Sequence, residues 1–172
     1  MRTRSLTAVL LMAVVMAPAF LGALTACDPQ RVDKLEEGVS TEVEVRRQFG
    51  EPATVLTAAD GSRTFEYPRQ PEGWTNYLIT IGADGKMSSL RQLLAPDNFA
   101  RVLPGLDRSQ VRQLLGRPAK MQRFDLKDEE VWDWRFKDGQ SSHLFSVTFG
   151  ADGRVLRATV GDDPRETLTG AK

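Results

Sequence analysis

Hydrophobic positions along the chain form one unbroken block and then two similar shorter patterns. Between Leu6 and Ala26 no residue is charged, and Arg2 and Arg4 stand just before that block. Further along, Val45 and Phe49 recur at i, i+4, as do Val111 and Leu115, which gives each segment one short apolar helical face. Tyr77, Ile79 and Ile81 then alternate with Leu78 and Thr80, and Phe145, Val147 and Phe149 alternate with Ser146 and Thr148. Alternation of period two predicts strands of a sheet with one apolar face. Between helix and strand in each case lies an aromatic-x-aromatic element, Phe65-Glu66-Tyr67 and Trp132-Asp133-Trp134.

The two patterns are copies of one another. The first opens with LEEGVSTEVEVRRQFGEP, Leu35 to Pro52, and the second with LPGLDRSQVRQLLGRP, Leu103 to Pro118. Gly38 and Gly50 are one residue further apart than Gly105 and Gly116. Both copies close on a strand followed by Gly-Ala-Asp-Gly, YLITIGADGKM at Tyr77–Met87 and FSVTFGADGRV at Phe145–Val155. A single shared turn would mean little; four signals in the same order at nearly the same spacing indicate an internal repeat.

Local chemistry completes each unit. Ser40 or Thr41, and Asp107, stand where an N-cap belongs, because their side-chain oxygens can accept orphan helix N–H groups. Gly50 and Gly116 stand where a left-handed residue ends a helix, each with a proline two positions later. A further short helix is expected upstream of each, near residues 30–37 and 98–103. Asp84-Gly85 and Asp152-Gly153 predict type I′ hairpin turns. The expected fold is α+β: two tandem units, each helix-helix followed by a three-stranded antiparallel sheet. The expected boundaries are 27–94 and 95–161, after a leader at 1–26 and before a mobile tail at 162–172. A unit of this length buries little of its surface alone, so the copies are expected to pack together.

The N-terminal block has the layout of a secretory signal: a basic start, an apolar stretch and small residues at the cut. Leu24-Thr25-Ala26 followed by Cys27 reads as a lipobox and resembles the substrates of lipoprotein signal peptidase. The block is just long enough to span a bilayer, but Pro18 and Gly22 interrupt it and no basic cluster follows. Cys27, the only cysteine of the chain, is therefore expected to carry the lipid and anchor the mature protein to a membrane facing the periplasm. Asp28 directly after it favours the inner membrane by the sorting rule of enteric bacteria. Loss of Arg2 and Arg4 leaves 21 basic against 23 acidic residues, a net charge of about −2 that excludes the basic footprint of a nucleic-acid binder.

Candidate chemistry is sparse. His143, the only histidine, has no cysteine partner, and no catalytic residue, metal ligand set or cofactor motif is assigned. The acidic run Asp125–Asp133 is interrupted by Lys127 and reads as a loop charge cluster. Gly-Ala-Asp-Gly lacks the Lys-Ser/Thr ending of a phosphate loop. Trp132, Trp134 and Phe136 share one strand face and fit either core or a partner surface. Trp74 follows the Pro- and Gly-rich segment at residues 68–73 and is expected to be an exposed contact. Thr80, Asp133, Arg135, Ser146 and Thr148 alternate with the core set and are expected to face water. Trp74, Asp133 and Arg135 are thus the candidate partner-binding residues.

The motif order resembles the SmpA/OmlA (BamE-like) family of lipoproteins: Gly105, Asp107, Val111, Leu115, Gly116 and Pro118, then Trp132, Trp134, Phe149, Asp152 and Gly153. The first copy matches more loosely, at Gly38, Val45, Phe49, Gly50, Pro52, Tyr67, Ile81, Asp84 and Gly85. The resemblance implies a non-enzymatic scaffold or accessory component of outer-membrane protein assembly, partnered with the β-barrel assembly machine, and so an outer-membrane location. Tandem copies also resemble the β-lactamase inhibitor proteins, which implies an alternative role: a periplasmic inhibitor or sensor module that binds an enzyme through its sheet face.

Overall fold

The computed structural model describes residues 28–169, so the leader and Cys27 lie outside the described residues. The first copy comprises α1 (Asp28–Val32), α2 (Glu42–Phe49), β1 (Thr54–Thr57), β2 (Arg63–Pro68), β3 (Asn76–Ile81) and β4 (Met87–Gln92). The second comprises α3 (Pro96–Phe99), α4 (Arg108–Leu115), β5 (Lys120–Phe124), β6 (Glu129–Asp138), β7 (Ser141–Phe149) and β8 (Val155–Asp162), followed by α5 (Pro164–Thr169). The fold is α+β, with two four-stranded antiparallel sheets in the orders β1-β2-β3-β4 and β5-β6-β7-β8.

Four strands per sheet correct the expectation of three. The additional strands, β1 and β5, lie at sheet edges and every residue in them is exposed. An edge strand that buries nothing needs no apolar alternation, so the pattern carries no trace of it. The upstream helices are also shorter than expected, α1 with 5 residues and α3 with 4. Pro96 begins α3, and Phe99 holds it by stacking on Phe145 with ring centroids 4.3 Å apart.

The main helices follow from their caps. Thr41 and Asp107 each accept a hydrogen bond from the third helical N–H, and Glu44 and Gln110 reach back to the cap N–H. Each is a complete capping box, worth about 1 kcal/mol at the cap alone. Gly50 and Gly116 have φ of 82° and 71°, as expected at a helix end, but ψ near −160° rather than left-handed. That region is open almost only to glycine. A buried aromatic then seals each helix end: the Tyr67 hydroxyl donates to the Gly50 carbonyl (3.2 Å) and Trp134 Nε1 to the Gly116 carbonyl (3.0 Å). Burial pushes the Tyr67 phenol up to about 12.

The hairpins depart from type I′ geometry. Gly85 and Gly153 have positive φ, whereas among the described residues Asp128 is the only non-glycine that does. Gly85 N–H bonds to the Gly82 carbonyl and Gly153 N–H to that of Gly150, while Asp84 and Asp152 accept from the N–H two residues on. The aspartates thus brace a turn that bulges at the glycine, and pairing shifts register beside each, at Thr80/Ile81 and Thr148/Phe149.

Val45 and Phe49 of α2 pack on Phe65, Tyr67, Ile79 and Ile81 in one core. Val111 and Leu115 of α4 pack on Trp132, Trp134, Val147 and Phe149 in a second. The three aromatics of β6 are therefore core. The Arg112 flank and the C-terminal end of α4 meet the first sheet on the face away from α2. There Arg112 pairs with Glu66 at 3.2 Å, and buried Asn76 donates to the carbonyls of Leu115 and Arg117.

Candidate functional site

Helices cover one face of the second sheet, and the opposite face divides into a closed end and an open end. The closed end is formed by the loop between β2 and β3. The Gln70 side-chain amide donates to the Arg135 carbonyl at 2.8 Å and accepts from the Arg135 N–H at 3.2 Å. It occupies the edge of β6 beyond the point where β5 pairing stops, at Lys120↔Asp133. Trp74 then lies over the sheet, donating from Nε1 to Ser142 Oγ at 2.8 Å, with the Arg135 guanidinium 5.3 Å and the Lys137 ammonium 4.4 Å from its ring centroid.

Arg135 is the hub of this end. It is 8% exposed, and its Nε donates to Asp163 at 2.6 Å while Nη1 donates to the Pro71 carbonyl at 3.0 Å. Asp163, 2% exposed, also accepts from Ser142 Oγ at 2.8 Å and from the Arg165 N–H at 3.0 Å. Burial pushes the Asp163 carboxyl up, but these hydrogen bonds and the Arg135 charge hold it below the ordinary carboxylate range.

These contacts correct the expected surface. Arg135 does not face water, because a carboxylate from beyond β8 and loop carbonyls enclose its guanidinium. Trp74 is half-buried against the second sheet rather than free on its loop. Thr148 is buried as well, while Thr80 and Ser146 are half-buried. The segment expected to be a mobile tail contributes Asp162 to β8 and the buried Asp163 to this cluster. An apolar pattern could not reveal it, since the anchor is an ion pair.

Asp133 lies at the open end, half-buried and accepting from Ser146 Oγ at 2.6 Å. Pairing register places Phe124, Val131 and Thr159 on the same face. Arg157 and Glu129 bridge it through paired bonds of 3.1 and 2.9 Å. Thr159 is exposed and Phe124 is 41% exposed. The result is a strand surface where apolar groups lie beside the Arg157–Glu129 pair and the Asp133–Ser146 hydrogen bond, with Lys120, Gln122 and Thr159 exposed among them.

The acidic run is dispersed among separate partners. Asp125 and Asp128 pair with Arg123, Glu129 with Arg157, and Glu130 with Arg108. A hydrogen bond from Trp132 Nε1, with Arg108 assisting and burial opposing, holds the Glu130 carboxyl low. No group of three or more His, Cys, Asp or Glu among the described residues could hold a metal ion. His143 lies 3.8 Å from the exposed Asp162 and packs beside Phe136. No described helix is long and apolar enough to cross a membrane.

A second surface feature lies between the copies. A cleft of about 380 Å³ is lined by Glu66, Pro68, Arg112, Arg117, Met121 and Trp132 among others. Sequence reasoning missed this cleft, and it missed Gln70, Asn76 and Asp163. Asn76 opens β3 just before the apolar Tyr77, and nothing in the alternation marks it as buried.

No family model and no curated protein matches the chain. The solved structures similar to it include two of bacterial proteins. One is a DUF4309 family protein, YjgB, of Bacillus subtilis, with 19% identity and a TM-score of 0.33, covering 78% of this chain and 86% of that one. The other is a candidate β-lactamase inhibitor protein of Streptococcus mutans, with 12% identity and a TM-score of 0.32, covering 78% of this chain and 95% of that one.

Proposed function

We propose that the chain is a non-enzymatic envelope lipoprotein that holds a protein partner on the open end of its second sheet. The observation that carries this reading is that uncovered face, where Phe124 and Val131 lie beside the Arg157–Glu129 pair and the Ser146–Asp133 hydrogen bond. A partner covering it would bury apolar area beside charges that are already paired. The Arg135–Asp163 cluster stiffens the adjoining end, so little ordering cost would accompany binding.

The lipobox supplies the anchor in this reading, with Cys27 as lipid attachment site, and the SmpA/OmlA resemblance suggests the β-barrel assembly machine as partner and the outer membrane as location. Cys27→Ser should abolish incorporation of a palmitate analogue; equal labelling of both proteins would refute the anchor. Density-gradient fractionation should place the protein in the outer membrane, and recovery solely in the inner membrane would overturn that location. Co-purification from mild detergent tests the partner. Assembly-machine components that are lost on Thr159→Arg, with the circular dichroism spectrum unchanged, support the reading. A single soluble enzyme as partner would favour the inhibitor role instead.

A further inference from the structure

We propose that the cleft between the two copies, together with the outer edge of β5, binds an extended segment of a protein partner that bears a carboxylate. This goes beyond the open-face reading to a second surface, on the opposite side of β5 and β6, and shares with it only that the partner is a protein.

Three observations converge. The first is an unpaired edge: β5 pairs with β6 alone, so along its outer side alternate N–H and C=O groups face solvent. Such an edge is a template for another strand, with main-chain bonds giving affinity and alternate side chains giving selectivity. The same sheet already takes such pairing where β5 has ended: the Gln70 amide takes both the N–H and the carbonyl of Arg135 on the edge of β6.

The second is a pocket at the right place for alternate side chains. Met121 of β5 is paired in register with Trp132, so both lie on the cleft side of the sheet, and Met121 is 61% exposed. Pro68 and Pro118 add apolar wall. A strand laid along β5 would send every second side chain toward this wall.

The third is charge. Arg112 gives Nη2 to Glu66, while its Nη1 is shut away from solvent with no acceptor. Arg117 is exposed and its guanidinium has no ion pair or hydrogen bond among the described residues. Two guanidinium groups thus line the cleft against one carboxylate. An incoming carboxylate would meet a fork-shaped donor suited to it.

The test uses the full lipidated chain in detergent micelles and fluorescence anisotropy. The probe is the blocked peptide Thr-Leu-Thr-Glu-Thr-Leu-Thr-Glu. One comparison peptide carries Lys for each Glu; two others are N-methylated on all Thr or on all Leu and Glu. The acidic peptide should bind at least about tenfold more tightly than the lysine peptide, and Arg117→Glu should reverse that order. One N-methylated peptide should lose binding while the other retains it, because successive residues of a strand present their N–H groups to opposite edges. Equal binding of acidic and basic peptides, retention of both N-methylated forms, indifference to Arg117→Glu, or no binding at millimolar peptide would overturn the proposal. Partner capture from detergent extracts, run in parallel, separates it from the broader reading. Capture that persists in Arg117→Glu defeats the cleft and leaves protein binding standing. Peptide binding without any capture defeats the broader reading alone.

Discussion

Helices α2 and α4 carry the same capping box and end in the same glycine geometry, yet the end of α2 at Gly50 is open to water while the end of α4 at Gly116 is buried against the other copy. The outer sides are alike, with Val43 and Arg47 exposed on α2 and Ser109 and Gln113 exposed on α4. On α4, Arg112 meets Glu66 and the helix end meets Asn76, both from the other copy. The loops differ in the same sense. In the second copy β6 and β7 are joined by a tight turn at Gly139; in the first, the corresponding connection from Pro68 to Asn76 is long enough to reach across and enclose Arg135. Duplication supplied two equal folding units, and a few unequal residues made one unit the support of the other. Arg135 stands where the first copy has Pro68, and Asn76 where the second has Leu144.

Breaking that asymmetry should cost most at its hub. Arg135→Met would leave Asp163 buried without its counter-charge, an expected loss of about 3 kcal/mol in urea unfolding. Trp74→Ala should also lower the thermal midpoint, because it removes the indole that bonds Ser142 and lies beneath Arg135 and Lys137. An unchanged midpoint would restore Trp74 to the free-contact role that its loop suggests.

The paired glycines sharpen the comparison. Valine at either position is strained by positive φ, about 1 kcal/mol or more. At Gly50 an added Cβ would meet nothing within 4 Å, whereas at Gly116 it would come within 3.0 Å of Asn76 Nδ2 and 3.1 Å of Leu93 Cδ1. Gly116→Val should therefore cost clearly more than Gly50→Val in matched melts; equal losses would mean that the first copy does not press on the end of α4. Asn76→Ala should cost about 1–2 kcal/mol by orphaning two carbonyls, while Leu144→Ala, at the matching place in the second copy, should cost less.

The smallest effect is pH-dependent. Asp163 has a folded pKa below its ordinary value of 3.8, so its contribution is complete above that value and is lost as pH falls through the lower, folded one. Stability measured from pH 5 downward should decline, and Asp163→Asn should flatten that part of the curve.

Much of the repeated architecture was legible because it is local. Caps, terminating glycines, alternating strands and bracing aspartates are each specified within a few residues, and Val45, Phe49, Val111 and Leu115 are buried as their spacing predicts. The edge strands were not legible, because TVLT and KMQRF bury nothing. The candidate site was legible only at Asp133. Burial of Arg135 depends on Asp163, 28 residues away, and on a loop 64 residues away, and no periodicity encodes such partners.

The most direct test of the account is photo-crosslinking in cells from a reactive amino acid placed at Thr159, on the open face of the second sheet, and at Arg47, on the outer side of α2. The account predicts a discrete crosslinked protein from Thr159 and none from Arg47. Crosslinking from Arg47 with silence at Thr159 would contradict it.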